Sequence, residues 1–198
     1  MEKYQNKYRS ETTRLKNHDY GADGWYFITI CTHNRENYFG QIVMGIQNVG
    51  TQNVGTQNVG TQNVGTQNFA SLQPTAIGTI AHQYWVEIPN HFPFVVLDEF
   101  VVMPNHIHGL LYFNKPEYEY RIHKPNQFGP QTQNLASVIR GYKAGVKKYA
   151  TMNDISFAWQ PRYHDHVVRT ERELQAIRRY IQNNPKKWMD GLDDRTKH

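Results

Sequence analysis

Three features of the sequence predict an α+β fold on one antiparallel sheet: four short apolar segments, two helical periodicities between them, and a capped helix at the end. Residues 25–32 (WYFITICT) are aromatic and β-branched, the composition of a strand. Across 75–87, Ile77, Ile80, Ala81, Tyr84 and Trp85 recur at three- and four-residue intervals, an amphipathic helix that Pro89 is expected to stop. Residues 94–103 read as a second strand and 107–113 as a third, separated by the turn residues Pro104 and Asn105. Leu135, Val138, Ile139, Tyr142 and Val146 share one side of a helix over 135–149, and 159–169 reads as a fourth strand. Thr170 opens the last helix as the N-cap of a capping box completed by Glu173. That helix is expected to end near Asn184, which Pro185 biases away from α conformation. The resulting β-α-β-β-α-β order is that of a ferredoxin-like or RRM-like antiparallel sheet, with helices on one face and an added C-terminal helix.

The 198 residues suit a single domain over 1–198, large enough to bury a core unaided. VGTQN recurs four times in register, at 49–53, 54–58, 59–63 and 64–68, after a partial copy at 45–48. One valine per five residues buries too little to make a solenoid, and a glycine in each unit raises the ordering cost. Residues 45–72 therefore read as a low-complexity loop inserted into the fold, and 125–134 as a second polar loop.

Lys and Arg outnumber Asp and Glu 22 to 17, a net charge of +5 with a pI near 9.2, which suits a nucleic-acid partner. Mean hydropathy is −0.75, and no stretch approaches the roughly 20 apolar residues of a membrane helix, so a cytoplasmic protein is expected. The lone cysteine, Cys31, excludes an intramolecular disulfide framework and a cysteine-rich zinc site. It reads as a small buried strand residue.

His106 and His108 flank Ile107 at the start of the third strand, so both imidazoles leave the same face. On spacing alone they are half a metal site or a structural pair. In the last helix Tyr180 and Asn184 are one turn apart, beside the stripe of Leu174, Ile177 and Ile181 that spans about 60° of the circumference. That border suits a nucleophile facing a groove, and equally an amphipathic tyrosine. His164 and His166 form a second alternating pair. A histidine-triad hydrolase would need a third alternate histidine, but Leu110 stands there.

MPNHIHGLL, then WQPRYHDHVVR, then a helix containing YIQNNP, closely resembles the REP-associated tyrosine transposases, single-tyrosine members of the HUH endonucleases. The opening segment with Arg14, Leu15 and Lys16 and the run YFITICTHNR fit the same pattern. The resemblance covers essentially the whole chain outside the VGTQN insert. It implies a transposase that nicks and rejoins single-stranded hairpin DNA of REP type through a 5′-phosphotyrosine. Tyr180 is implied as the nucleophile, and His106, His108 and Asn184 as ligands of a divalent cation, Mg²⁺ or Mn²⁺. His164 and His166 are candidates to support that site from its edge. For DNA contacts, Arg140, Lys143, Lys147, Lys148, Arg172, Arg178 and Arg179 are the helix cations around the tyrosine, with Arg14 and Lys16 as candidate readers of a guide strand. Relatives act as helix-exchanging dimers or as monomers, so either state is compatible. The alternative is a non-catalytic nucleic-acid-binding protein on the same fold.

Overall fold

The computed structural model describes residues 3–4, 7–8, 15, 18–48, 66–115 and 133–191. Apart from a two-residue ribbon, Lys3–Tyr4 with Lys7–Tyr8, the elements run β1 (Gly24–Cys31), β2 (Gly40–Asn48), β3 (Thr66–Pro74), α1 (Ala76–Val86), α2 (Ile88–His91), β4 (Val95–Met103), β5 (His106–Phe113), α3 (Leu135–Met152), β6 (His164–Val168) and α4 (Glu171–Met189). The main sheet has the order β4-β5-β1-β6, antiparallel at every junction. This is the split arrangement that the alternation of elements predicts.

Strand periodicity divides the sheet into two faces. Tyr26, Ile28 and Ile30 of β1 and Ile107, Leu111 and Phe113 of β5 are buried against α1 and α3. Burying each such side chain contributes roughly 1.5–3 kcal/mol. Trp85 of α1 fills the space over Gly109, where an added Cβ would lie 2.0 Å from its ring. From α3, Tyr142 donates its hydroxyl to the Ala81 carbonyl at 2.8 Å, tying the two helices together. On the opposite face, Leu110 of β5 and Val168 of β6 pack against Leu174 and Ile181 of α4, with Phe27 and Trp25 alongside. Thus α1 and α3 cover one face and α4 the other.

Several expectations shift at their edges. Helix α1 ends at Val86, ahead of Pro89 as expected, but Pro89 itself sits in the first turn of the short α2, where its missing N–H has no helical acceptor to lose. The fourth strand is confined to β6, because Pro161 and Arg162, the latter at φ 65°, interrupt the chain. Trp159 makes only an isolated bridge to Thr32. Helix α4 continues through Pro185 to Met189. One helical hydrogen bond is forfeited there, at a cost of about 3 kcal/mol, but the extra turn brings Trp188 against the His106 ring.

The chain is also more ordered at both ends of 45–72 than a loop. Strands β2 and β3 pair from Gly40↔Pro74 out to Asn48↔Thr66, a separate two-stranded hairpin without one charged residue. Residues 49–65, which hold most of the VGTQN copies, lie outside the described residues.

Candidate active site on the open face of the sheet

Register aligns the candidate residues. His108 pairs with Thr29 and Thr29 with His164; Leu110 pairs with Phe27 and Phe27 with His166. Directly opposed residues share a face, so both histidine pairs look the same way, toward α4. Between sheet and helix lies a cavity of about 530 Å³ lined by Phe27, Arg35, His106, His108, His164 and Tyr180, among others.

At its centre the Tyr180 hydroxyl lies 3.1 Å from Nε2 of His108, while Thr29 Oγ1 lies 2.8 Å from Nδ1 of the same ring. With its proton on Nδ1, His108 donates to Thr29 and its Nε2 accepts from Tyr180. Burial holds the imidazole well below its usual pKa, with the charges of His106 and Arg35 adding to the effect, so His108 stays neutral. Phe27 stacks on His108 and meets Tyr180 edge-on, fixing both rings.

His106 is oriented by its neighbour. The Asn105 amide donates through Nδ2 to the Arg35 carbonyl at 2.9 Å, which turns Oδ1 toward His106 Nδ1 at 2.8 Å. An amide oxygen only accepts, so Nδ1 carries a proton, and in the neutral ring the lone pair is then on Nε2. The two imidazole centroids are 4.5 Å apart.

Tyr180, Asn184 and Trp188 follow at four-residue intervals on one face of α4. The outer two lie against His108 and His106, and Asn184 stands between them on the same side of the helix. Asn184 is fully buried, and among the described residues neither its Oδ1 nor its Nδ2 has a hydrogen-bond partner. Leaving such a group unsatisfied costs roughly 1–3 kcal/mol, a cost that a ligand at the amide would remove. No cluster of three or more His, Cys, Asp or Glu side chains suited to a metal occurs among the described residues. The donor set here is instead two imidazoles and one amide oxygen, and the orphaned amide beside two ring nitrogens fits a divalent cation.

At the β6 edge, His166 Nε2 lies 2.6 Å from Glu173 Oε1, and Glu173 Oε2 accepts from Arg169 N–H. The Arg169 contact, then His166, holds the Glu173 carboxyl below its usual range. Glu173 thus caps backward onto Arg169, while Thr170 Oγ1 accepts from the Glu173 N–H. His164 is exposed at the cavity rim.

The candidate DNA cations divide. Arg172 and Arg179 are exposed on α4, the helix that carries Tyr180. Arg178 instead pairs with Asp98. Arg140, Lys143, Lys147 and Lys148 belong to α3, on the other side of the sheet from Tyr180. There Lys143 Nζ donates to the carbonyls of Gln160 and Arg162, and Lys147 Nζ to that of Phe157, holding the connection into β6. Arg14 and Lys16 lie outside the described residues. Thr29, Arg35, Asn105 and Asp98 escaped the sequence reading, because each is held by a partner at least 70 positions away.

The chain is thus an α+β protein whose antiparallel sheet carries a histidine pair beneath a helix-borne tyrosine. No protein-family model matches the sequence. An uncharacterized protein of Haemophilus influenzae is 34% identical over 183 residues, which span 88% of this chain and 87% of that protein, and the chain belongs to its family. Among solved structures, a REP-associated tyrosine transposase bound to a REP hairpin superposes with a TM-score of 0.53 at 17% identity, over 93% of this chain and 76% of its own. That likeness establishes a shared fold. Among the described residues no helix is long and apolar enough to cross a membrane.

Proposed function

We propose that this protein is a single-tyrosine transposase that nicks and rejoins single-stranded, hairpin-forming DNA through a covalent phosphotyrosine. The observation that carries the reading is the Tyr180 hydroxyl, 3.1 Å from His108 inside a cavity formed within one chain. The fold shared with the hairpin-bound transposase supports DNA as the partner.

In this mechanism Tyr180 Oη attacks phosphorus. The phosphorus–Oη bond forms as the bond to the 3′-oxygen breaks; water accepts the phenolic proton and a proton from water completes the 3′-hydroxyl. Reversal by another 3′-hydroxyl rejoins the strand without an external energy source. Tyrosine is a weak nucleophile at neutral pH, since its reference pKa is about 10. His106, His108 and Asn184 would hold Mg²⁺ or Mn²⁺, which supplies electrophilic activation of the phosphate and neutralises developing charge. Phe27 and Thr29 hold the His108 ring so that Nε2 stays directed at Tyr180. His164 and His166 border the path by which a strand would enter, and Arg172 and Arg179 would meet its phosphates.

The test is a labelled single-stranded hairpin from DNA flanking the gene, incubated with wild type or Tyr180→Phe in Mn²⁺, Mg²⁺ or EDTA. A metal-dependent covalent adduct absent from the variant is expected. Binding with no adduct from the wild type would leave a DNA-binding module instead.

A further inference from the structure

Arg35 stands out because the fold gives it an unusual backbone and, among the described residues, no partner for its charge. It ends a short 3-10 turn, His33–Arg35, in which Asn34 and Arg35 both take left-handed conformations, at φ 49° and 52°. Asparagine tolerates that region; arginine rarely adopts it. The turn is held from three sides. Thr32 Oγ1 lies within hydrogen-bonding distance of the Glu36 and Asn105 carbonyls, at 2.7 and 2.9 Å, and the Arg35 carbonyl accepts from Asn105 Nδ2. Since the same Asn105 side chain orients His106, the Arg35 backbone and the histidine pair are set by one group.

The Arg35 side chain lines the cavity with Tyr180 and His108. Among the described residues its guanidinium has no hydrogen bond and no acidic partner. The one carboxylate lining the cavity, Glu173, is occupied by Arg169 N–H and His166. No other arginine or lysine is among the described lining residues, so Arg35 brings the permanent positive charge to the cavity. A strained residue that brings an unpaired guanidinium to the cavity holding Tyr180 is a device for an anion that arrives with the substrate.

We propose that Arg35 grips a non-bridging oxygen of the phosphate under attack and stabilises the charge that builds there, making it a catalytic residue of the tyrosine reaction. The assignment rests on the proposed strand-transfer activity. A guanidinium offers paired donors matched to phosphate oxygens, and a fixed charge in a secluded site acts most strongly where charge develops.

Arg35→Asn keeps a residue that tolerates the left-handed turn while removing the charge, and Arg35→Lys keeps the charge without the fork. Each is compared with wild type for the single-turnover rate of adduct formation on the hairpin. Hairpin affinity is measured separately in a Tyr180→Phe background. The expected result is a rate loss of about 100-fold in Arg35→Asn with affinity changed less than about 3-fold, and partial recovery in Arg35→Lys. An unchanged rate, or a rate loss matched by the loss of affinity, overturns the assignment. If the wild type forms no adduct, the strand-transfer reading fails, and inorganic phosphate decides on Arg35. Thermal stabilisation of the wild type by phosphate but not of Arg35→Asn supports an anion site there, whereas equal response of the two proteins, or none, rejects it.

Discussion

Arg178 of α4 grips Asp98 of β4 with two nitrogens, Nε at 3.0 Å from Oδ1 and Nη2 at 2.5 Å from Oδ2. The pair exists because β4 bulges: its register against β5 shifts between Leu97 and Phe100, allowing Asp98 and Glu99 both to reach α4. Gln182 donates to Glu99 at 2.8 Å, so two consecutive acids hold the helix on either side of Tyr180. The clamp fixes how far along the sheet the phenol sits.

Loss of that clamp is expected to cost stability and activity together. Asp98→Asn should lower unfolding free energy by about 1–2 kcal/mol, between the values for exposed and buried pairs. The Arg178 hydrogen bond holds the Asp98 carboxyl below its ordinary value, so the folded protein binds fewer protons than the unfolded chain. The pair's contribution is therefore complete above about pH 4 and declines as pH falls toward the lower folded value. Urea denaturation from pH 7 to 3 should show a shallower acid decline for Asp98→Asn than for wild type.

In the proposed site His108 Nε2 has one lone pair and two claimants, the Tyr180 hydroxyl and the proposed cation. Removing the hydroxyl should relieve that competition. Tyr180→Phe is expected to bind Mn²⁺ about five-fold more tightly, the equivalent of one hydrogen bond near 1 kcal/mol. Calorimetric titration of both proteins measures this without reference to cleavage, and equal or weaker affinity in the variant would count against His108 as a ligand.

Thr29 touches no substrate in this reading; it positions the ring. Thr29→Val keeps shape and loses the partner of His108 Nδ1, so metal affinity should fall about 10–100-fold. Thr29→Ser should restore it, which a purely structural defect would not allow.

Gly109→Ala drives a methyl group into the Trp85 ring and should destabilise by about 1–3 kcal/mol. Shortening the aromatic side chain as well, in Gly109→Ala with Trp85→Leu, should recover part of the loss in a denaturation double-mutant cycle.

Replacing residues 49–65 with Asn-Gly closes the β2–β3 ladder by a two-residue turn. Adduct formation is expected to be unchanged, because the described cavity residues lie outside the hairpin. A large loss of cleavage would instead assign the repeat to DNA handling.

Much of this architecture is legible in the sequence because it follows from local periods. Alternation put His106 and His108 on one face; helical spacing put Tyr180 and Asn184 on one side of α4; Thr170 marked where that helix begins. The hairpin was hidden because its β3 strand, Thr66–Pro74, begins inside the repeat, where glycine and amides carry no strand signal. Helix α4 outran Pro185 because contact with His106, a tertiary event, outweighs a local break. Arg35 was invisible for a similar reason. Nothing in THNR announces a left-handed turn, and the amide that holds it lies 70 positions away.

The glycine beneath Trp85 bears also on how the chain can go wrong. Strand β5 lies between β4 and β1, and sliding it by a single residue would turn every side chain to the other face. Two imidazoles would then be pressed among the aliphatic side chains of α1 and α3, and the indole would meet a side chain where it now meets a bare backbone. Such a product could not persist as a stable but inert molecule. Attaining the native core and assembling the histidine pair are one event, so a preparation of this protein should contain working molecules and unfolded ones, with no misregistered population between them.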